Sequence, residues 1–324
     1  MSFSKKLSLT GLSLGLLLIT SCGKQSEAET ASEPTTPEAE TPKAYPDTPE
    51  AAIKMIAGEI SKGDMGVIWE AMPATYQSDV NEIVALASTK LDPEIYDKTF
   101  TFFDRLADVA DKQKNFIFNT QLGGEQPPEE KEKMENALPS VIALIKGLAG
   151  SEISTVEGLK TFDGQAFFDT TVSKMAEQLE EIAKLSGETE FSMSDLSEVA
   201  VSVVESEGDQ ATLELKVPNE ESQIESFTKV EGRWVPTEMA DGWVQSIADA
   251  KAEIEGVSVE EMAANKPQLL SVFAMLDGVL TQIDSAETQE QFDQALQGAM
   301  MPLMGLMMMS TGGGMSAPVT PTAP

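Results

Sequence analysis

Val199-Ala200-Val201-Ser202-Val203 and Ala211-Thr212-Leu213-Glu214-Leu215-Lys216-Val217 break the period of a chain that otherwise reads as helix. In both stretches every second residue is apolar, which places the apolar set on one face of a pleated strand. Glu207-Gly208-Asp209 between them reads as a tight turn. Ile224 to Val230 and Arg233 to Pro236 flank a second turn at Glu231-Gly232. Residues 199–236 are therefore expected to form about four strands in an antiparallel meander. The class that follows is α+β, a mainly helical body with one small antiparallel sheet.

Working outward toward the N-terminus, the apolar spacing is helical. Asp163 is placed to cap a helix carrying Phe168, Val172, Met175, Leu179, Ile182 and Leu185, which stops at Gly187. Before it, a helix with Val141, Ile142, Ile145 and Leu148 is expected to bend or restart at Pro139. Residues 121–130, with Gly123, Gly124, Pro127 and Pro128, read as a loop. Asp92-Pro93 opens a helix carrying Ile95, Phe100, Phe102, Phe103, Leu106 and Val109. Tyr76, Val80, Ile83, Val84 and Ala87 mark another helix, preceded by a short one with Val67, Ile68 and Trp69 that ends at Pro73. The first has Thr48 as cap and Pro49 at its first position, and presents Ile53, Ile56, Ala57 and Ile60.

Toward the C-terminus, Met239, Trp243, Ile247, Ala250 and Ile254 share a helical face. Ser258 to Glu261 and Thr288 to Gln291 fit capping boxes. Leu269, Phe273, Leu276, Leu280 and Ile283 follow Pro267 as one stripe, and Phe292, Leu296, Ala299 and Leu303 form the next. The apolar run Ala299 to Met309, broken by Pro302 and Gly305, is too short to span a bilayer. Residues 310–324 have the Gly, Ser, Thr, Ala and Pro composition of a disordered tail.

The N-terminal end has a different character. Lys5 and Lys6 precede an apolar run from Leu7 to Ile19, too short for a spanning helix and suited to a secretory signal. The run closes on Ile19-Thr20-Ser21-Cys22, an aliphatic residue, two small residues and the only cysteine. This ending resembles the lipobox of bacterial lipoproteins. The resemblance implies that the Cys22 thiol carries a diacylglyceryl group, that the signal is removed before it, and that the mature chain sits on the lipid bilayer. Gly23, where an Asp in that family retains the protein at the inner membrane, favours the outer membrane, on its periplasmic face or at the cell surface. Lys24 to Pro46 has almost no large apolar residue and carries Pro34, Pro37, Pro42 and Pro46, so an extended disordered tether is expected.

Charge and composition exclude several classes. The full chain has 22 basic and 54 acidic residues, net -32; removing Lys5 and Lys6 with the signal leaves 20 against 54, or -34. Such a field repels phosphate backbones and anionic headgroups, so no nucleic-acid partner is expected and any membrane attachment must come from the lipid. With no histidine there is no Ser-His-Asp triad, no Cys-His dyad and no histidine metal site. No cofactor or metal motif is present. Gly11-Leu12-Ser13-Leu14-Gly15 matches a nucleophile elbow but lies in the signal. Ser226-Phe227-Thr228-Lys229 matches S-x-x-K, but in a strand pattern that sets Ser226 and Lys229 on opposite faces. Carboxylate pairs are the only acid–base option left, as in glycoside hydrolysis.

Thr48-Pro49-Glu50-Ala51-Ala52 through Lys62-Gly63-Asp64, Trp69 and Met72-Pro73, together with Lys229-Val230-Glu231-Gly232-Arg233-Trp234-Val235-Pro236, resemble parts of NTF2-like lipoproteins. The resemblance implies a curved sheet and helices around a cone-shaped pocket for a small ligand or partner. Residues 74–198, mostly helical, separate the first stretch from the sheet that holds the second. Trp69, Trp234 and Trp243 are the candidate pocket or interaction residues, with core packing as the plainer role. Met300, Met301, Met304, Met307, Met308, Met309 and Met315 could ligate Cu(I) or give an adaptable greasy surface for the body or a partner.

The division expected is a signal at 1–21, acylated Cys22 and tether at 22–47, a helical region at 48–190, sheet plus helix at 191–256, a helical extension at 257–309 and a tail at 310–324. The function expected is a non-enzymatic binding or scaffolding module of the cell envelope with an envelope protein as partner. The alternative is a carboxylate-based hydrolase acting on envelope glycans.

Overall fold

The computed structural model describes residues 45–120, 127–186, 192–218 and 220–310, with the side chains of Ser186, Glu261 and Met300–Ser310 left out. Cys22, most of the tether, the Glu261 arm of one capping box and the Met-rich side chains lie outside the described set.

The chain is mainly helical with one four-stranded antiparallel sheet. The strands are β1 (Ala200–Glu207), β2 (Gln210–Lys216), β3 (Gln223–Val230) and β4 (Arg233–Pro236), in the order β1-β2-β3-β4. The β1–β2 turn puts Gly208 at φ 60. The β3–β4 turn needs positive φ at both centre positions and puts Glu231 at 50 and Gly232 at 79. Glycine meets that demand without strain, whereas a glutamate there needs an outside contact to hold it. Pairings Leu213↔Val203 and Leu215↔Val201 keep the alternating apolar residues in register. The register slips between Val203 and Glu205, so Val204 is a bulge residue left exposed.

One sheet face, with Val201, Ala211, Leu213, Leu215, Phe227 and Trp234, packs on Ala52 of α1 (Pro49–Ile60). The far face is covered only near β4. There Val235 meets Trp69 of α2 (Gly66–Glu70), Tyr76 and Val80 of α3 (Ala74–Ser88), and Trp243 of α10 (Thr237–Gly256). Ile83 and Leu86 of α3 close on Ala250 and Ile254 of α10.

The second half is helical. It contains α4 (Pro93–Lys112), α5 (Lys114–Ile117), α6 (Pro128–Ala149), α7 (Val156–Lys160), α8 (Gly164–Phe167), α9 (Ser173–Ser186), α11 (Val259–Asp284) and α12 (Gln289–Ser310). Phe168–Val172 form a π turn joining α8 to α9. That wider turn lets Phe168 reach Trp69, ring centroids 5.6 Å apart, while the Ser173 hydroxyl accepts the Met65 N–H at 3.0 Å. α6 lies between α4 and α9, and α11 lies on α4 with α12 folded back along it.

Several local expectations need correction. Pro139 does not restart the helix, since α6 runs from Pro128 to Ala149 with Pro139 inside it, and α11 runs through Pro267. Both prolines, and Glu135 and Ala263 four residues before them, are exposed, so water takes the carbonyls they leave unpaired. Thr48 is extended but offers no side-chain cap. The loop expected over 121–130 ends earlier, since α6 begins at Pro128. Thr288 does accept the Gln291 N–H at 3.3 Å, but Gln291 reaches back to Glu287 rather than to the cap residue. A complete capping box occurs instead at Ser192 and Asp195, opening a 3-10 turn over Met193–Glu198.

Candidate functional site

The three tryptophans are all buried, but the sheet divides them. Trp69 and Trp243 share the cluster behind Val235, while Trp234 belongs to the opposite face. Tyr76 stacks flat on Trp243 with centroids 3.9 Å apart, and the Trp243 indole donates to Asp79 at 2.8 Å. Trp69 lies so close to Gly164 that a Cβ there would meet its ring at 2.0 Å. These contacts fill the space between helices and sheet.

Trp234 leads to a different arrangement, built where Tyr45–Asp47 meet the sheet. Tyr45 packs on the α1–sheet cluster. The Arg233 guanidinium sits over its ring, 4.1 Å from the centroid, at cation–π range. The Tyr45 hydroxyl is buried near the Trp234 backbone N–H but completes no ordinary hydrogen bond among the described residues. Burial pushes that phenol up from its usual pKa, against the pull of Arg233. Two residues on, the Asp47 carbonyl accepts the Trp234 indole N–H at 2.9 Å, and the Asp47 carboxylate accepts from Lys229. The Lys229 ammonium lies 5.6 Å from the Trp234 ring. Hydrogen bonding from Lys229, then its charge, holds the Asp47 carboxyl below the usual range.

The same hairpin reaches α3 through its turn. The Glu231 carboxylate accepts the Thr75 N–H at 3.1 Å and the Thr75 hydroxyl. Pro73 gives α3 no side-chain cap, so Glu231 supplies one from 156 residues away in sequence. Those bonds lower the Glu231 carboxyl pKa and account for a glutamate at positive φ.

Tyr45–Asp47, read from composition as the end of the tether, thus lie against the body. Composition averages hid them; the signal available was Tyr45 itself, a large aromatic in a stretch that otherwise lacks one. Lys229, Arg233 and Trp234 were visible as a motif, but not their use.

The S-x-x-K residues fall in β3, where Ser226 pairs with Thr212 at 3.3 Å and Lys229 with Asp47. Glu225 on β3 is raised in pKa, first by desolvation and then by the charge of Glu238 on α10, yet both side chains are exposed. Among the described residues no cluster of acidic or cysteine side chains could hold a metal ion, and no helix is long and apolar enough to cross a membrane. A shallow depression lined by Lys114, Asn115, Phe118, Asn119 and Glu135 has its polar groups engaged locally, Lys114 with Asp111 and Asn119 with Lys131. No protein-family model, no curated protein and no solved structure matches the chain.

Proposed function

We propose that the protein is an envelope lipoprotein, fastened to the membrane by acylated Cys22 and serving as a non-enzymatic binding or scaffolding module. The observation that carries this reading is Ile19-Thr20-Ser21-Cys22 behind Lys5, Lys6 and the apolar run. Two acyl chains anchor stably where one does not, at roughly 0.8 kcal/mol per buried methylene. The strongly acidic body has no electrostatic attraction for anionic headgroups, so the anchor would be its sole hold on the bilayer. The clasp on Tyr45 and Asp47 supports the reading from the other end, because it fastens the base of a tether to the sheet.

The test is metabolic labelling with an alkyne fatty acid, followed by detergent partition. The wild-type chain should label and enter the detergent phase, and Cys22→Ser should do neither. Cross-linking of the two forms in cells would then ask for an envelope protein captured by the anchored form alone.

The alternative is a carboxylate hydrolase on envelope glycans, for which Glu225 and Glu238, both exposed, would be the pair to test. That chemistry needs a proton-bearing acid and a second carboxylate across a sugar. Loss of glycan cleavage in Glu225→Gln would support it, and an inactive wild-type protein would remove it.

A further inference from the structure

We infer that the β3–β4 hairpin is a load-bearing clasp, which takes the pull of the membrane anchor at Tyr45 and Asp47 before it reaches the start of α1; the source of that pull rests on the acylation of Cys22. Three separate holds converge on two residues, Tyr45 and Asp47. Arg233 covers the Tyr45 ring, Trp234 holds the Asp47 carbonyl and Lys229 holds the Asp47 carboxylate. All three come from one hairpin whose turn spans only Glu231 and Gly232.

The hairpin is itself fastened on two sides. The Lys229 N–H donates to the Asp209 carbonyl at 2.7 Å, tying it to the β1–β2 turn. Glu231 ties its tip to the start of α3. Force arriving at Asp47 is therefore spread into the sheet and α3.

What lies behind the clasp explains the need. Thr48 gives α1 no side-chain cap, so its first-turn N–H groups lack that hold. A helix opens first from such an end. α1 carries Ala52 into the sheet cluster and Ile56 and Ile60 into the cluster with Val67, so peeling it would open both. A clasp ahead of Thr48 shields that weak point.

The experiment is force spectroscopy on the purified, unacylated full chain, so it does not depend on lipidation. Cys22 is the only cysteine and serves as one handle. An azide-bearing residue in place of Val244, which is 80% exposed on α10, serves as the other. A second protein, with Cys22→Ser and Thr48→Cys, is pulled from behind the clasp. At fixed load the Cys22 pull should survive about tenfold longer than the position-48 pull. Lys229→Ala with Arg233→Ala should erase that difference and leave the position-48 lifetime unchanged. Trp234→Phe, which keeps a ring in the core, should reduce the difference. Equal lifetimes from the two handles in the wild-type background would overturn the clasp, as would variants that shorten both pulls alike.

Discussion

The sheet-centred half and the helical half of the molecule are held in different ways. Around the sheet, the side chains turned toward the neighbouring helices are almost fully enclosed, Leu213 and Ile254 at 0% exposure, Val217 at 2%, Trp69 at 3% and Trp234 and Trp243 at 4%, while Val203, Val204, Ile224 and Val244 face outward. In the helical half the enclosed set is sparse, chiefly Ala107, Val109, Ile142, Leu280 and Phe292, while Phe103, Met134, Leu179 and Leu269 stay exposed. Polar cross-links take the place of volume there. Arg105 pairs with Asp277 at 3.0 Å, and Lys266 bridges Asp92 and Glu94 at 2.9 Å each. At the end of α4, Gln113 is buried and gives its amide to the carbonyls of Ile283, Asp284 and Ala286, closing the C-terminus of α11. Lys112 adds its ammonium to the Asp284 carbonyl and carboxylate, where the helix dipole favours a cation. Packing thus rigidifies one half, and the other is a set of helices registered by their ends.

That contrast ranks the substitutions. Trp243→Ala removes a stacked, hydrogen-bonded ring from the sheet half and should cost about 3–5 kcal/mol by denaturant titration. A loss under about 1 kcal/mol would mean that the cluster is not close-packed. Gln113→Leu keeps the volume but strands buried carbonyls, and should cost about 1–3 kcal/mol, with amide protection lost at the end of α11 and retained in β2. Equal loss in both places would erase the distinction between the halves. Arg105→Ala, at a pair with both side chains 37% exposed, should cost no more than about 1 kcal/mol, less at high salt.

Acid tests the clasp. Asp47 and Glu231 have pKa values lowered in the fold, so the stability they lend is complete above the ordinary carboxylate range, roughly pH 4. It is lost as pH falls through their lowered values. Hydrogen exchange at Ala51–Ile53 should be level from pH 7 to 5 after correction for intrinsic rates, and should rise below about pH 4. Glu225 has the opposite sign. Its pKa is raised, so its ionised form weakens the fold at neutral pH, and Glu225→Gln should stabilise by a few tenths of a kcal/mol at pH 7 and have no effect well below pH 4.

Period and local spacing carried most of the fold. The alternation of Ala211, Leu213 and Leu215 located β2, and Asp92 and Asp163 cap their helices through residues three positions on. Two local caps were missed, the box at Ser192 and Asp195 and Thr155 on α7, and the rest were remote. Glu231 serves α3, Lys90 donates its ammonium to the Glu255 and Val257 carbonyls at the end of α10, Asp97 receives the Val156 N–H, and Gln113 serves α11. No local pattern encodes a partner that far away. Pro139 misled for a related reason, since the cost of an internal proline depends on whether the freed carbonyl faces water. At the tether, composition averaging outweighed the one aromatic that mattered, Tyr45.

The central claim is that this body hangs from Cys22. The most direct measurement is the mass of the N-terminal peptide of the mature protein from its native membrane. The account predicts a chain beginning at Cys22 with a diacylglyceryl adduct on sulfur. A chain retaining residues 1–21, or a Cys22 with a free thiol, would contradict it.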